Sequence, residues 1–422
     1  MLRSPLLPIF LTVFVDVLGL TLMLPLLPLY TEHLGGTPLT VGLLIASYAF
    51  CQLISGPILG RASDRVGRKP VLLVSQAGTF VGFLVIGLAP RIGLALHVPA
   101  LAILFVGRII DGFTAGNLSI AQAYISDVTR PENRTRAFAL IGIAFGSGFL
   151  IGPAISGVLA HRFEMGTPAF AAASLSMLSI ILTATLLPRN PVRPDEDGVP
   201  GASAHAGTES SAVSGASGIQ RPAPPPGGGR SLAFGKFFSR PLPRRRLLEF
   251  FAFTLSFSTL IGGLALFLER RFGFNVENVG WVFAFSGLIG GFIQGGIIGR
   301  LVKRYGEARL ALSGFVTMAI GYCLLGLAYR IPLLLALVAI SGFGVAVTRP
   351  ALTTLITRSV GRDETGAALG VSQSLSSVAQ MVGAPIAGLL IQHGWLAAYG
   401  LAAGSVALWG VVLGLQPEPA AS

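Results

Sequence analysis

Residues 60–69 read Gly60-Arg61-Ala62-Ser63-Asp64-Arg65-Val66-Gly67-Arg68-Lys69, with apolar runs on both sides over about 39–60 and 70–90. Each flanking run is close to the ~20 apolar residues that a helix needs to cross a bilayer. The glycines permit a tight reversal between two such helices. Asp64 is placed to accept hydrogen bonds from backbone donors at a neighbouring helix start, and Arg65, Arg68 and Lys69 anchor the turn on one side of a membrane. Topology alone accounts for the basic residues but not for an acid set between glycines.

The same alternation of apolar run and polar break continues along all 422 residues. Six runs fall at about 6–30, 39–60, 70–90, 97–124, 137–161 and 168–187, and six more at about 247–269, 279–300, 309–329, 332–357, 366–391 and 395–415. The composition agrees: 52% hydrophobic and 11% charged, against roughly 25% charged in an average soluble domain. No stretch is large and polar enough to fold as a soluble enzyme. The one long polar segment contains Pro191, Pro194 and a Pro222 to Gly229 stretch, which cannot bury enough apolar surface to fold. The sequence therefore predicts an all-α integral membrane protein of twelve transmembrane helices in two pseudo-symmetric six-helix halves. Its units are 1–188, a flexible cytoplasmic linker over 189–245, and 246–422.

Lysine and arginine placement orients the spans. With the N-terminus inside, 23 of the 30 basic residues fall in cytoplasmic segments and 5 in outer ones. Both termini are thus expected in the cytoplasm, and the net charge of +12 reads as a topology signal, with some attraction to anionic lipid heads, rather than as a nucleic-acid footprint. Cys51 and Cys323 lie inside apolar runs and read as packing residues. No metal-ligand spacing and no nucleotide-binding loop occurs, so no cofactor is expected and an ion gradient is the remaining energy source.

The halves repeat. Gly299-Arg300-Leu301-Val302-Lys303-Arg304-Tyr305-Gly306 after span 8 echoes Gly60 to Gly67 after span 2, and Gly383-Ala384-Pro385-Ile386-Ala387-Gly388 in span 11 echoes Gly152-Pro153-Ala154-Ile155-Ser156-Gly157 in span 5. Two repeated halves point to a transporter with its site at their interface. Glycines four apart in span 8 (Gly287, Gly291, Gly295, Gly299), with Gly142, Gly146, Gly148 and Gly152 in span 5, permit close helix approach.

The 60–69 turn resembles the signature loop of the major facilitator superfamily. Leu18-Gly19 followed by Pro25-Leu26-Leu27-Pro28 resembles the span 1 signature of its drug:proton antiporter branch. Arg108 with Gly112 matches part of that branch's arginine motif, with Asp111 where a polar amide is common. Gly148, Gly152, Pro153 and Gly157 resemble the antiporter motif, with Ser156 replacing one glycine. The stretch Glu269 to Asn275, with Val279-Gly280, Gln294 and Gly306-Glu307, is similar to the tetracycline-efflux group. The resemblance implies a secondary transporter that exports a small lipophilic compound or drug in exchange for protons; the short loops and lack of targeting signals favour the bacterial inner membrane, and a monomer is expected. A proton-coupled importer or facilitator of a metabolite and a flippase for a lipid-like substrate are the alternatives. It places Gln294 as a substrate-binding candidate and pairs Asp127 with Arg68 in a latch that holds the outward-facing state, a surface cap being the bland account of Asp127. Pumps of the tetracycline group carry acids in spans 3 and 9; neither run here contains one, which counts against tetracycline as substrate.

A charged side chain at mid-bilayer costs ~2.5–3.5 kcal/mol and needs a reason. Asp16 in span 1 and Arg108 in span 4 fall at matching depths, each ~15 Å in at 1.5 Å per residue, so a pair across the cavity is possible. Asp111, on the same helix face as Arg108, is the other available partner. Asp16, Arg108 and Asp111 are the proton-coupling candidates, because alternating access can switch a carboxyl between burial and a cationic neighbour. Arg349, before Pro350, is expected to snorkel to the interface. Phe145, Phe149, Phe253, Phe257, Phe283 and Phe285 are candidates for an apolar lining.

Overall fold

The computed structural model describes residues 6–129, 134–188, 230–361 and 364–416. Among these residues the elements are helical, and twelve helices are long and apolar enough to cross a membrane. The first six are Pro8–His33, Pro38–Val66, Arg68–Gly87, Ala100–Ile125, Gly142–Arg162 and Thr167–Leu186. The second six are Pro241–Phe272, Val276–Tyr305, Glu307–Leu325, Ile331–Arg358, Thr365–Gln392 and Leu396–Leu415. They are called spans 1 to 12 below.

The turn at 60–69 is mostly helix. Span 2 runs on to Val66 and span 3 begins at Arg68, so Gly67, at φ +105°, makes the reversal alone. That backbone conformation suits glycine, which has no Cβ to clash. Gly60 stays helical. The second half repeats the device: Gly306, at φ +73°, separates span 8 from span 9.

Residues 189–229 of the expected linker lie outside the described residues. Residues 230–245 depart from it, because Arg230–Ser239 is a short helix and span 7 begins at Pro241. The charges that argue for a linker are absorbed by packing: Glu249 accepts from Arg245 at 3.0 Å and from Arg246 at 2.9 Å, and Arg245 also donates to the Gly414 carbonyl at 3.0 Å. A neutralised cluster can be buried where a lone charge cannot, and these three side chains are buried. The short helix is tied to the start of span 11, where Glu364 receives Lys236 at 2.5 Å and Arg240 at 2.7 Å.

Two pairs of spans join the halves by the same device. In spans 5 and 8, a Cβ on Gly157 would lie 2.9 Å from the backbone of Val276 and Glu277, and one on Gly280 would lie 2.5 Å from the Pro153 carbonyl oxygen. In spans 11 and 2, a Cβ on Gly388 would collide with the Pro38 carbonyl, and one on Gly42 would lie 2.5 Å from that of Ala384. The repeated segments 152–157 and 383–388 therefore do the same work: each carries a glycine that lets a partner helix start touch its backbone.

These contacts lie on the side away from Gly67. There Arg270 meets Glu32 of the other half at 2.9 Å, and the Leu39 N–H donates to Gln392 Oε1 at 3.4 Å. Toward the Gly67 side the halves part. Gly146 still approaches Gly291, halfway along span 8, whereas a Cβ on Gly142, Gly295, Gly296 or Gly299 would meet nothing within 4 Å. The glycine ladder is thus used along half of its length. In spans 2 and 11 a hydrogen bond from Ser377 to Gln52 Oε1, at 3.3 Å, bridges the halves, and Gly60, Gly366 and Gly370 beyond it are free of neighbours.

Candidate functional site

Eight or more residues from either end of a span, the charged side chains among the described residues are Asp16, Arg108, Asp111, Arg349 and Glu249, the last matched by Arg245 and Arg246 as above. The structure sorts the other four into three environments.

Arg108 and Asp111 close on each other: Nη1 lies 2.9 Å from Asp111 Oδ2, and both side chains are buried. The guanidinium also lies 4.2 Å from the centre of the Tyr48 ring in span 2. Of the two partners open to Arg108 in the sequence, the near one on its own helix face is realised and the Asp16–Arg108 pair is not. Directly beyond, span 4 breaks at 114–116 between Ala100–Phe113 and Asn117–Val128. Ser75 of span 3 takes up the freed backbone groups, donating to the Thr114 carbonyl and accepting from the Gly116 N–H at 3.0 Å. Irregular backbone at membrane depth needs such protein partners.

Asp16 is half-buried among spans 1, 3 and 6. Gln76 Nε2 donates to Asp16 Oδ2 at 3.3 Å and to Ser179 Oγ at 2.8 Å, and the Ser176 hydroxyl binds the Gln76 carbonyl at 3.2 Å. No cation among the described residues pairs with Asp16. Gln76 is a residue of this site that the sequence reading missed; its one legible signal is a long amide in an apolar run.

Arg349 lies at the half–half boundary, its guanidinium carbon 5.9 Å from the ring centre of Phe145 in span 5. Phe145 adjoins Gly146, whose partner Gly291 is halfway along span 8. There the side chain expected to snorkel makes a cation–π contact with this ring. Of the aromatic candidates, Phe253 and Phe283 are core residues, 2% and 3% exposed, while Phe145, Phe149, Phe257 and Phe285 are partly open. Gln294 lies in a π-helical turn, Ile293–Ile297 of span 8, just past the last close approach to span 5. Such turns recur at functional sites, and this one leaves no mark in the apolar pattern.

The signature residues form an assembly within the first half. Arg68 reaches Asp64 at 2.5 Å, Asp127 at 2.9 Å and Ser63 Oγ at 2.7 Å. Asp64 thus faces a side chain rather than backbone donors, because span 2 continues past it. Lys69 caps span 6 through the carbonyls of Ala184 at 2.8 Å and Leu187 at 2.6 Å, where the helix dipole favours a cation. Arg65 is exposed. The Arg68–Asp127 pair stands while the halves are apart on this side, so its own atoms do not join them. Gly148 and Gly152 seat span 5 on span 1: Thr21 donates to the Gly148 carbonyl at 2.9 Å, and a Cβ on Gly152 would strike Thr21. Pro153 and Gly157 of the same motif face span 8 of the other half.

Two six-span halves, joined on one side and parted on the other around charges at mid-depth, define a transmembrane transporter. The chain belongs to the Major Facilitator Superfamily, whose profile matches residues 9–298 and 247–422. It is 29% identical over 379 residues to the tetracycline resistance protein, class C, of Escherichia coli, covering 88% of this chain and 86% of that protein. It is 26% identical over 404 residues to multidrug resistance protein 2 of Bacillus subtilis (strain 168), covering 90% and 86%. The fold matches the crystal structure of the human organic anion transporter MFSD10, with a TM-score of 0.69 at 22% identity over 98% of this chain and 99% of that one.

Proposed function

We propose that the chain exports a small lipophilic compound in exchange for protons, by alternating access between the two halves. Asp16 is the proton-carrying group in this reading. The observation that carries it is the contrast between the two carboxylates of the first half. Asp111 is buried with its charge balanced by Arg108, so changing its protonation breaks a buried pair. Asp16 is partly open and held by an amide, with no fixed cation among the described residues to keep it ionised, and an amide accommodates both its charged and neutral forms. The printed names of the tetracycline and multidrug resistance relatives support export of a foreign compound. The asymmetry of lysine and arginine puts the Gly67 side in the cytoplasm, which makes the parted arrangement the inward-open state. Rocking about the glycine contacts of spans 5 with 8 and 2 with 11 would close that side and open the other.

Everted membrane vesicles test this reading. An imposed acid-interior gradient is expected to drive uptake of members of a lipophilic panel, and Asp16→Asn to abolish gradient-driven accumulation while leaving protein levels intact. A panel that never responds to the gradient, or an Asp16→Asn protein with full coupling, overturns it.

A further inference from the structure

Of the charges well inside the spans, Asp16, Arg108 and Asp111 are accounted for within the first half, and Glu249 is matched by Arg245 and Arg246 in the second. Arg349 is the exception. Its side chain is exposed, in the gap between the halves, and no carboxylate among the described residues lies within ion-pair distance of it. Its neighbour Phe145 stacks on Phe149, with ring centres 6.4 Å apart and planes 26° from parallel. Both rings are partly open. The gap therefore presents a guanidinium beside an aromatic wall, and it opens toward the Gly67 side.

A charged side chain at membrane depth pairs with a partner or faces an open cavity, and there it marks a substrate or ion pathway by default. Guanidinium presents a planar fork of N–H donors that matches an oxyanion in a bidentate way. Among the described residues Arg349 has no such partner, and its ring neighbour supplies only a weak quadrupole. Aromatic rings favour a flat apolar body packed against them. A cation would be repelled from this position, and a neutral compound would leave the guanidinium unmatched.

We propose that Arg349 is the substrate-recognition cation of the cavity, and that it takes a carboxylate or other oxyanion carried on an aromatic or lipophilic body. This rests on the export reading for its cavity and deepens it by fixing the charge class of the substrate. Asp16 then carries the proton separately, since it sits among spans 1, 3 and 6 and not beside Arg349.

The test uses the full chain in detergent and three probes of one shape: a naphthoate, the neutral naphthamide and a naphthylmethyl-trimethylammonium. Equilibrium binding is measured for wild type, Arg349→Gln and Arg349→Lys. The naphthoate is expected to bind wild type more tightly than the other two. Arg349→Gln should weaken it by about tenfold to a hundredfold, without affecting the naphthamide, and Arg349→Lys should retain part of the preference. Equal binding of the three probes, no binding of the naphthoate, or an unchanged naphthoate affinity in Arg349→Gln overturns the proposal. Because Arg349 is exposed, its loss should not unfold the chain, and unchanged naphthamide binding or thermal stability confirms this. An anionic phospholipid is the other source of an oxyanion on an apolar body. Competition of phosphatidylglycerol with the naphthoate, with loss of copurified phosphate in Arg349→Gln, upholds the oxyanion site and assigns the lipid as its occupant. Gradient-driven uptake in everted vesicles separates the parent reading. Binding without driven transport keeps the anion site and rejects export, whereas driven uptake of the cationic probe with Arg349→Gln silent keeps export and rejects the anion site.

Discussion

Arg108 and Asp111 are 2.9 Å apart and buried together, and Asp16 keeps a separate place beside Gln76. A buried pair loses about 3–5 kcal/mol when one partner is removed, because the other is left charged and unmatched, whereas replacing both by apolar groups is often neutral. Asp111→Asn is therefore expected to lower the unfolding midpoint in detergent substantially, and an Arg108→Met/Asp111→Leu double variant to recover most of the loss. Asp16→Asn should leave the midpoint near that of wild type. Additive losses in the double variant would show that the two residues do not act as a pair.

The glycine contacts separate stability from movement. Gly287 has the Phe149 and Leu150 backbone where a side chain would go, so Gly287→Ala should destabilise the protein as purified. Gly142→Val and Gly295→Val add bulk where nothing lies within 4 Å and should leave stability unchanged. They should nevertheless block closure of the Gly67 side and abolish transport. Thermal stability and vesicle uptake of the three variants check this together; full transport by Gly295→Val would mean that the two spans never close there.

The fold was legible because each span carries its own signal. Apolar length, the Gly67 turn and its repeat at Gly306 are local properties, and a twelve-span, two-half architecture follows from them. Boundaries failed where a charge is balanced by packing: Arg245 reads as linker until Glu249 and the Gly414 carbonyl are seen to meet it. The interior charges were legible as residues and not as pairs. Matching depth made Asp16 and Arg108 plausible partners, but rotation about the helix axis, which depth does not fix, sends Arg108 to Asp111 and Asp16 to Gln76. The break at 114–116 depends on a neighbour, Ser75, and neither it nor the π-helical turn at 293–297 changes the apolar count.

On the far side, the Glu32–Arg270 pair holds the halves together at 2.9 Å while both side chains are partly exposed. Such pairs contribute up to about 1 kcal/mol, so Glu32→Gln should raise the population opened on that side by no more than about fivefold. Labelling of a cysteine introduced at position 39 reports the change. A Glu32→Cys/Arg270→Cys crosslink should stop transport, and reduction should restore it.

Glu364 accepts hydrogen bonds from Lys236 and Arg240, the Lys236 bond being the larger influence, and its pKa is held below the ordinary 4.5. A carboxylate with a lowered folded-state pKa stabilises the tie at pH values above its unfolded pKa and loses that contribution as pH falls through the folded value. Protection of the amides in residues 235–240, measured relative to intrinsic exchange at each pH, should therefore hold at neutral pH and fall below about pH 4.5. In Glu364→Gln it should be low at both. Protection that ignores both pH and the substitution would show that the ion pairs do not hold the helix.

The central claim is that Asp16 gives up or takes the proton exchanged for substrate. The most direct test is proton release from the purified, weakly buffered chain when a compound accumulated by vesicles is added, compared between wild type and Asp16→Asn. Wild type is expected to release protons on binding over a range of pH, and Asp16→Asn to bind the compound with no release. Undiminished release from Asp16→Asn would contradict the account and move the proton to another group.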